Sequence, residues 1–554
     1  RLIGDSKFTM KFDRILSEID GFGKFQIKLV LIQILSRVCL PCHFLLNNFM
    51  AAVPSHHCNL TALDDGGIFG NLTQEQKLAV GVPAEHNGTL SSCEMFSKPQ
   101  YQHLSGLNSS EDAATVQCQN GWVYDNSTYK STLATEWDLV CSRKWMNKAT
   151  ATAFLIGVMC GAPLFGYFSD RYGRRPLLLV SYLSTLAFAV LSAFSPLYMI
   201  FVTMRFFTGM SLAGISIISI TLNVEWFGIE SRTFSGIITS LDWSLGSLLL
   251  VGISYNVNHW RMLIVAATSP LILSLLTWRW LPESARWLLA NGKEDAAHQY
   301  LMQCAEMNNR TKYMNTITQQ TTVKCRNKHT IVDLFKTPKI RNISICLGIV
   351  WSGVAFTYYG ISLNITGFGL NPYLTQVIFA SMEIPMKIIV YFFLKKFGRR
   401  PGEAASLLLT GLFLFINIFV AKGYRWAFRT IVGVLGKSMS EASFTIIFLY
   451  TTELFPTVVR ENGLGYTSFL ARLAMSISPL IMLLEDTWHL LPAVIYCTVA
   501  VVAGLVACLL PETLNAQLPD SIDDIEKTSL HIFDNPLTGL NDLQVSPSLV
   551  HVLS

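Results

Sequence analysis

DRYGRRP, residues 170–176, returns as KKFGRRP at residues 395–401, and the two glycines, Gly173 and Gly398, stand 225 positions apart. The repeat is not confined to that turn. VEWFGIESR carries Glu225 and Arg232; TELFPTVVR carries Glu453 and Arg460, each 228 positions further on. Pro282-Glu283-Ser284 is matched by Pro511-Glu512-Thr513 at an offset of 229. Three landmarks at nearly one offset describe a duplicated unit. What lies between them is apolar, with 51% hydrophobic and only 14% charged residues over 554 positions. Apolar runs of bilayer-crossing length recur along most of the chain, separated by short basic or polar loops.

The runs predict twelve spans, at 25–52, 149–168, 176–195, 198–224, 233–253 and 260–281, then 342–362, 373–394, 402–421, 425–451, 463–484 and 488–509. Six spans per copy is an even number, so matching turns share a membrane face. Such parallel repeats are related by an axis along the membrane normal, with a cavity between the halves near mid-depth. The expectation is an all-α membrane protein of two six-helix halves. The mixed polar and charged start has no leader pattern, so the first span should serve as its own insertion signal.

Charge sets the orientation. The two G-R-R-P turns and the basic 282–341 segment should face the cytosol. Residues 1–24 and the 511–554 tail, mostly unstructured from 515 onward, then lie inside with them, 149–281 and 342–510 hold the remaining spans, and 53–148 lies outside. That outer segment contains Cys58, Cys93, Cys118 and Cys141, an even set suited to an oxidising compartment, with three pairings open. It also contains the sequons at Asn59, Asn71, Asn87, Asn108 and Asn126. Those at Asn309 and Asn342 fall on the cytosolic side and should stay bare.

Seven charges fall near mid-depth: Arg205, Asp242, Glu383, Lys387, Lys437, Glu441 and Arg472. Each costs about 2.5–3.5 kcal/mol at a helix centre on insertion scales, so each needs a partner or a cavity. Lys437 and Glu441 share a helix face at four-residue spacing, as do Glu383 and Lys387, although Pro385 intervenes in the second pair. Arg205 and Asp242, in adjacent spans, are a third candidate pair. Arg472, within GYTSFLARLAMSISPLIMLL (465–484), has no acid in its own span. Either Glu383 or Glu441 reaches it from a neighbouring span, or its counter-charge is a bound carboxylate, sulfate or phosphate held bidentately. Tyr358, Tyr359, Phe444 and Trp243 could stack on flat ligands beside it.

GYFSDRYGRRP, NVEWFGIESR, LPESARWLL, TELFPTVVR and the outer stretch GWVYDNSTYKSTLATEWDLVC together resemble the major facilitator superfamily, and more narrowly the solute carrier 22 family of organic ion transporters, from about Phe12 to Glu526. HFLLNNFMAAVP and GKSMSEASF look most like that family's organic anion transporters. The resemblance implies that Asp170, Arg171, Gly173, Arg174, Arg175, Glu225 and Arg232 form a cytosolic gate, with Arg399, Arg400, Glu453 and Arg460 as its counterpart. Lys395 and Lys396 replace the acid and arginine of the first copy, so the two networks should be unequal. It also implies substrate contacts from Arg472, Lys387, Tyr358, Tyr359 and Phe444, and places Asn48 and His43 on the same cavity. Small organic anions, a dicarboxylate counter-ion, membrane lipid and a plasma-membrane location, basolateral in epithelia, follow from the likeness; no cofactor, metal or nucleic acid does.

An ATP-driven pump would need a phosphate loop. GVLGKS, Gly433–Ser438, has Ile431 where that pattern requires glycine, and it lies inside a span. The chain is not expected to be an enzyme. A non-transporting receptor would need neither the duplication nor the mid-depth charges.

Overall fold

The structure, a computed structural model, describes residues 16–526 except 17–18, 64–66, 85–88, 106–113, 229–231, 311–330, 365–370, 420–425, 457–458, 489, 515–518, 520–521 and 523–524, and the side chains of 105, 232–240, 426–427, 461 and 486. Each of the twelve expected spans contains helix among the described residues. The first six are α1 (Lys24–Met50), α2 (Lys144–Tyr172), α3 (Arg174–Ala193), α4 (Tyr198–Trp226), α5 (Arg232–Asn256) and α6 (Trp260–Trp280). The second six are α7 (Pro338–Ser362), α8 (Pro372–Phe397), α9 (Arg399–Phe419), α10 (Trp426–Leu454), α11 (Arg460–Ile481) and α12 (Leu491–Ala507). Among the described residues ten helices are long and apolar enough to cross a membrane; α5 and the 17-residue α12 complete the set.

Small residues set the tightest approach. A Cβ at Gly157, Gly161 or Gly209 would lie 2.0–2.2 Å from the carbonyl oxygens of Phe206, Met210 and Phe154, so α2 and α4 touch backbone to backbone. The first helix is broken at Val38 and again at Leu45–Leu46. Pro41 supplies no amide to the Arg37 carbonyl, which favours the first break. Gly246 of α5 accommodates the kink; a Cβ there would meet Pro41 Cγ at 2.3 Å and the Val38 oxygen at 2.4 Å.

Residues 53–148 build a small body of their own at one end of the bundle, called here the loop end. Strand β1 (His56–Cys58) pairs antiparallel with β4 (Trp122–Tyr124), and β2 (Glu94–Phe96) with β3 (Thr115–Gln117). Leu60, Leu63, Phe69, Val80, Val82 and Met95 form its core. Cys58 is bonded to Cys118 and Cys93 to Cys141, which settles the pairing that composition left open. The body is fixed to the first half. Lys130 and Ser131 amides donate to the Asn258 carbonyl, Trp137 packs on Tyr198, Phe201 and Trp260, and Glu136 pairs with Arg261 at 2.7 Å. Asn71 and Asn126 are exposed and Asn59 is half-buried; Asn87 and Asn108 lie outside the described residues. Peptide mapping without reductant should recover these two bridges and neither alternative arrangement. Removing either should cost about 2–5 kcal/mol in so small a domain, seen as loss of the mature protein.

The halves meet along α2 and α11 and along α5 and α8. Side-chain bonds joining them include Asn48 Nδ2 to the Ser362 carbonyl at 2.8 Å near the loop end, and Ser244 Oγ to Glu383 Oε2 at 2.9 Å at mid-depth. Phe49 of the first half stacks on Tyr373 of the second with centroids 5.3 Å apart.

Candidate functional site

At mid-depth six aromatic rings from both halves form a cage. Phe44 of α1 lies 5.6 Å from Trp243 of α5 and 6.1 Å from Tyr359 of α7. Tyr358 lies 5.2 Å from Tyr359 and 5.3 Å from Phe444 of α10, which is edge-on to Trp351 at 5.8 Å. Trp243 Nε1 donates to the Tyr358 hydroxyl at 2.9 Å, tying the halves across the cage. Sequence reading found four of these rings and missed Phe44 and Trp351. Their signal was present, because both are aromatic and share a span with a residue already singled out.

Two buried acids and two buried lysines sit against this cage, and their pairing is crossed. Lys387 Nζ lies 3.2 Å from Glu441 Oε1, and Lys437 Nζ lies 3.3 Å from Glu383 Oε1. The expected partner within α10, Lys437 with Glu441, is reached only at 3.9 Å. No Glu383–Lys387 ion pair forms among the described residues. The reason is geometric: α8 and α10 pack face to face, so each lysine reaches the opposite helix more directly than its own. Glu383 also accepts from Ser244 and from Tyr358, while the Lys437 ammonium sits 3.3 Å above the Tyr358 ring centroid.

The Arg205–Asp242 pair does not form either. Asp242 binds Arg37 Nε of α1, a cation the sequence reading did not single out. Arg205 is buried inside the first half, donating to His43 Nδ1 at 3.1 Å and to the His43 carbonyl at 3.3 Å, with its guanidinium 4.5 Å from the Phe154 centroid. A guanidinium can only donate, so His43 Nδ1 accepts and the proton sits on Nε2, facing the Thr268 hydroxyl at 3.2 Å. His43 is therefore packed inside the half and away from the cavity. Asn48, expected on the cavity, instead fastens α1 to α7 near the loop end, with Gln376 Oε1 at 3.5 Å as a second partner.

Arg472 differs from all of these. It is half-buried, Tyr359 is its electrostatic neighbour, and its guanidinium makes one long bond of 3.5 Å to the Ser468 carbonyl of its own helix. Among the described residues no carboxylate lies within ion-pairing distance of it. Glu383 and Glu441, the two that could have answered it, are held by lysines.

At the opposite end, called the basic end, the duplicated turns build two matching clusters. Arg174 grips Glu225 with two bonds of 2.9 and 3.1 Å, and Arg399 reaches Glu453 at 2.9 Å. Asp170 adds a 2.9 Å contact to Arg174; in the second cluster Thr513 Oγ1 donates to Glu453 at 2.6 Å instead. Arg171 lies over the Tyr172 ring, Arg175 donates to the Arg279 carbonyl and the Tyr300 hydroxyl, and Arg460 Nε donates to the Phe455 carbonyl. The Arg232 side chain lies outside the described residues.

Glu283 and Glu512, read from sequence only as landmarks, prove central. Gly173 and Gly398 begin α3 and α9 without a side chain that could cap them. Glu283 accepts from the amides of Arg174 and Arg175 at 2.9 and 3.1 Å, and Glu512 from those of Arg399 and Arg400 at 2.9 and 3.0 Å. Burial alone would raise the Glu512 pKa, but these amides, with those of Thr513 and Leu514, hold it below the usual carboxylate range. Gly173 has φ +106°, and a Cβ there would meet Glu283 Oε2 at 2.7 Å. Gly173→Ala should lower stability by about 1–3 kcal/mol in a thermal unfolding assay. Gly166→Ala, where a Cβ meets nothing within 4 Å, is the control and should change little.

Residues 87–521 match the family model "Sugar (and other) transporter". Solute carrier family 22 member 7 of Rattus norvegicus is 44% identical, covering 94% of this chain and 99% of its own length. The Homo sapiens member 7 is 43% identical over 94% and 97%, and member 6 of Rattus norvegicus 36% over 94% and 95%. Among solved structures, the major facilitator superfamily proton:xylose symporter XylE bound to 6-bromo-6-deoxy-D-glucose superposes with a TM-score of 0.57 at 16% identity, covering 91% and 98% of the two chains. The inward-open XylE of E. coli gives 0.58 at 18%, over 90% and 99%.

Proposed function

Because this chain belongs to solute carrier family 22 and has the major facilitator fold, we propose that it carries small amphipathic organic anions across the plasma membrane by alternating access. The observation that supports the anion is the charge balance at mid-depth. Asp242 is taken by Arg37, Glu383 by Lys437 and Glu441 by Lys387, which leaves Arg472 beside the cage without a carboxylate among the described residues. A substrate carboxylate or phosphate completes it, while the rings take the flat apolar part. Such a pocket is tolerant of shape, so the substrate list is broad: dicarboxylates, cyclic nucleotides, prostaglandins and salicylate-like acids. The same balance argues against a carrier of organic cations, since Asp242, Glu383 and Glu441 each already face an arginine or a lysine.

In this reading both termini and the basic end lie in the cytosol, and the disulfide-bonded, sequon-bearing body lies outside. The halves are latched at the loop end through Asn48 and at mid-depth through Ser244, whereas Arg174–Glu225 and Arg399–Glu453 each close within one half. That pattern fits a state closed to the outside. Transport runs by facilitated uptake or by exchange against an internal dicarboxylate.

Uptake of a labelled dicarboxylate and a labelled quaternary amine into proteoliposomes tests the class. Saturable anion entry that unlabelled salicylate competes is expected. Entry of the amine alone would overturn it.

A further inference from the structure

On the membrane-facing side of the first half, away from the cage, a groove of about 460 Å³ runs between α1 and α6 at the basic end. Ile27, Leu31, Ile32 and Leu35 form one wall, and Thr277 and Trp280 the other. Lys24 and Lys28 stand at its mouth, both exposed. Positions 24, 28, 31 and 35 recur at helical spacing, so the lysines and the apolar wall share one face of α1.

We propose that this groove holds an anionic phospholipid of the cytosolic leaflet, its headgroup on Lys24 and Lys28 and an acyl chain along Leu31 and Leu35. Three observations converge on that occupant. The eleven residue steps from Lys24 to Leu35 rise about 16 Å along the helix, close to the depth of one leaflet's hydrocarbon layer. Trp280, 61% exposed, stands at the end of α6, where an indole marks the headgroup boundary. The lysines are unbalanced: they repel each other at four-residue spacing, the first turn of α1 carries no acid, and among the described residues neither makes an ion pair. Lys24, the first residue of the helix, also opposes the helix dipole, so the chain carries a local charge conflict that a phosphate relieves. A soluble anion would satisfy the lysines and leave the wall unexplained; a neutral lipid would do the reverse. Anionic lipids concentrate in the cytosolic leaflet and attract basic side chains at the surface. The inference rests on the orientation proposed above and is independent of the substrate class.

The test is lipid retention by the purified full chain, read by native mass spectrometry from micelles doped with phosphatidylserine or with phosphatidylcholine of the same acyl chains. Phosphatidylserine should be retained about thirtyfold more strongly, from two lysines near the headgroup layer. Lys24→Gln with Lys28→Gln should abolish that preference, and Leu31→Trp, which fills the groove, should lower retention with both lysines intact. Equal retention of the two lipids, an unchanged preference in the double variant, or displacement by inorganic phosphate at comparable concentration would each overturn the proposal. None of these readings involves transport, so a failed substrate assignment leaves the result intact.

Discussion

Arg472→Ala should lose uptake of organic anions by roughly ten- to a hundredfold in kcat/KM, the effect of removing a hydrogen-bonded charge worth about 1.5–3 kcal/mol. The variant should still reach the surface, because the guanidinium makes only one long bond, to Ser468, and anchors no other element among the described residues. Arg472→Lys separates charge from geometry. It keeps the cation but loses the planar fork, so recovery should be partial and poorest for carboxylates that bind bidentately. Uptake normalised to surface protein by biotinylation decides the matter. An equal loss for a neutral solute would mean that the arginine holds the fold, and the anion reading would then lose its main support.

The second large effect concerns stability. Asp242→Asn leaves the Arg37 charge buried beside the break in α1, and removing one member of a buried pair costs about 3–5 kcal/mol. Most of the variant should fail quality control, visible as an immature form and a steep drop in melting temperature in detergent. Replacing both residues, Asp242→Asn with Arg37→Met, removes the buried charge and should restore much of the yield. Wild-type melting of the single variant would show that the pair contributes nothing to the fold.

The duplicated fold was legible because it rests on spacings within one sequence: apolar runs, two G-R-R-P turns and acids at matched offsets. Every expected span contains helix, and membership in the transporter family follows independently from the relatives. Partner choice was less legible, and the misses share a cause. Arg37 and Asp242 are 205 positions apart, with no local pattern joining them. The four-residue spacings in α8 and α10 correctly marked which charges share a face, but the rotation of each helix against its neighbour decides which acid each lysine takes. Pro385, between Glu383 and Lys387, was a hint that their helix would not favour the local pair. Glu283 and Glu512 were in plain view as repeat landmarks. Their work, capping helices that begin with glycine in another part of the chain, requires the ends of α6 and α12 to be folded back against α3 and α9.

The disulfide-bonded body is bolted to the first half by the Trp137 nest and by Glu136–Arg261, while Tyr129 reaches Tyr373 of the second half with ring centroids 6.2 Å apart. In the proposed alternating-access cycle that body rides with its own side and parts from the other. A fluorophore on its exposed surface would thus report that motion as a tilt of the body, and an antibody wedged between it and α8 would act as a brake.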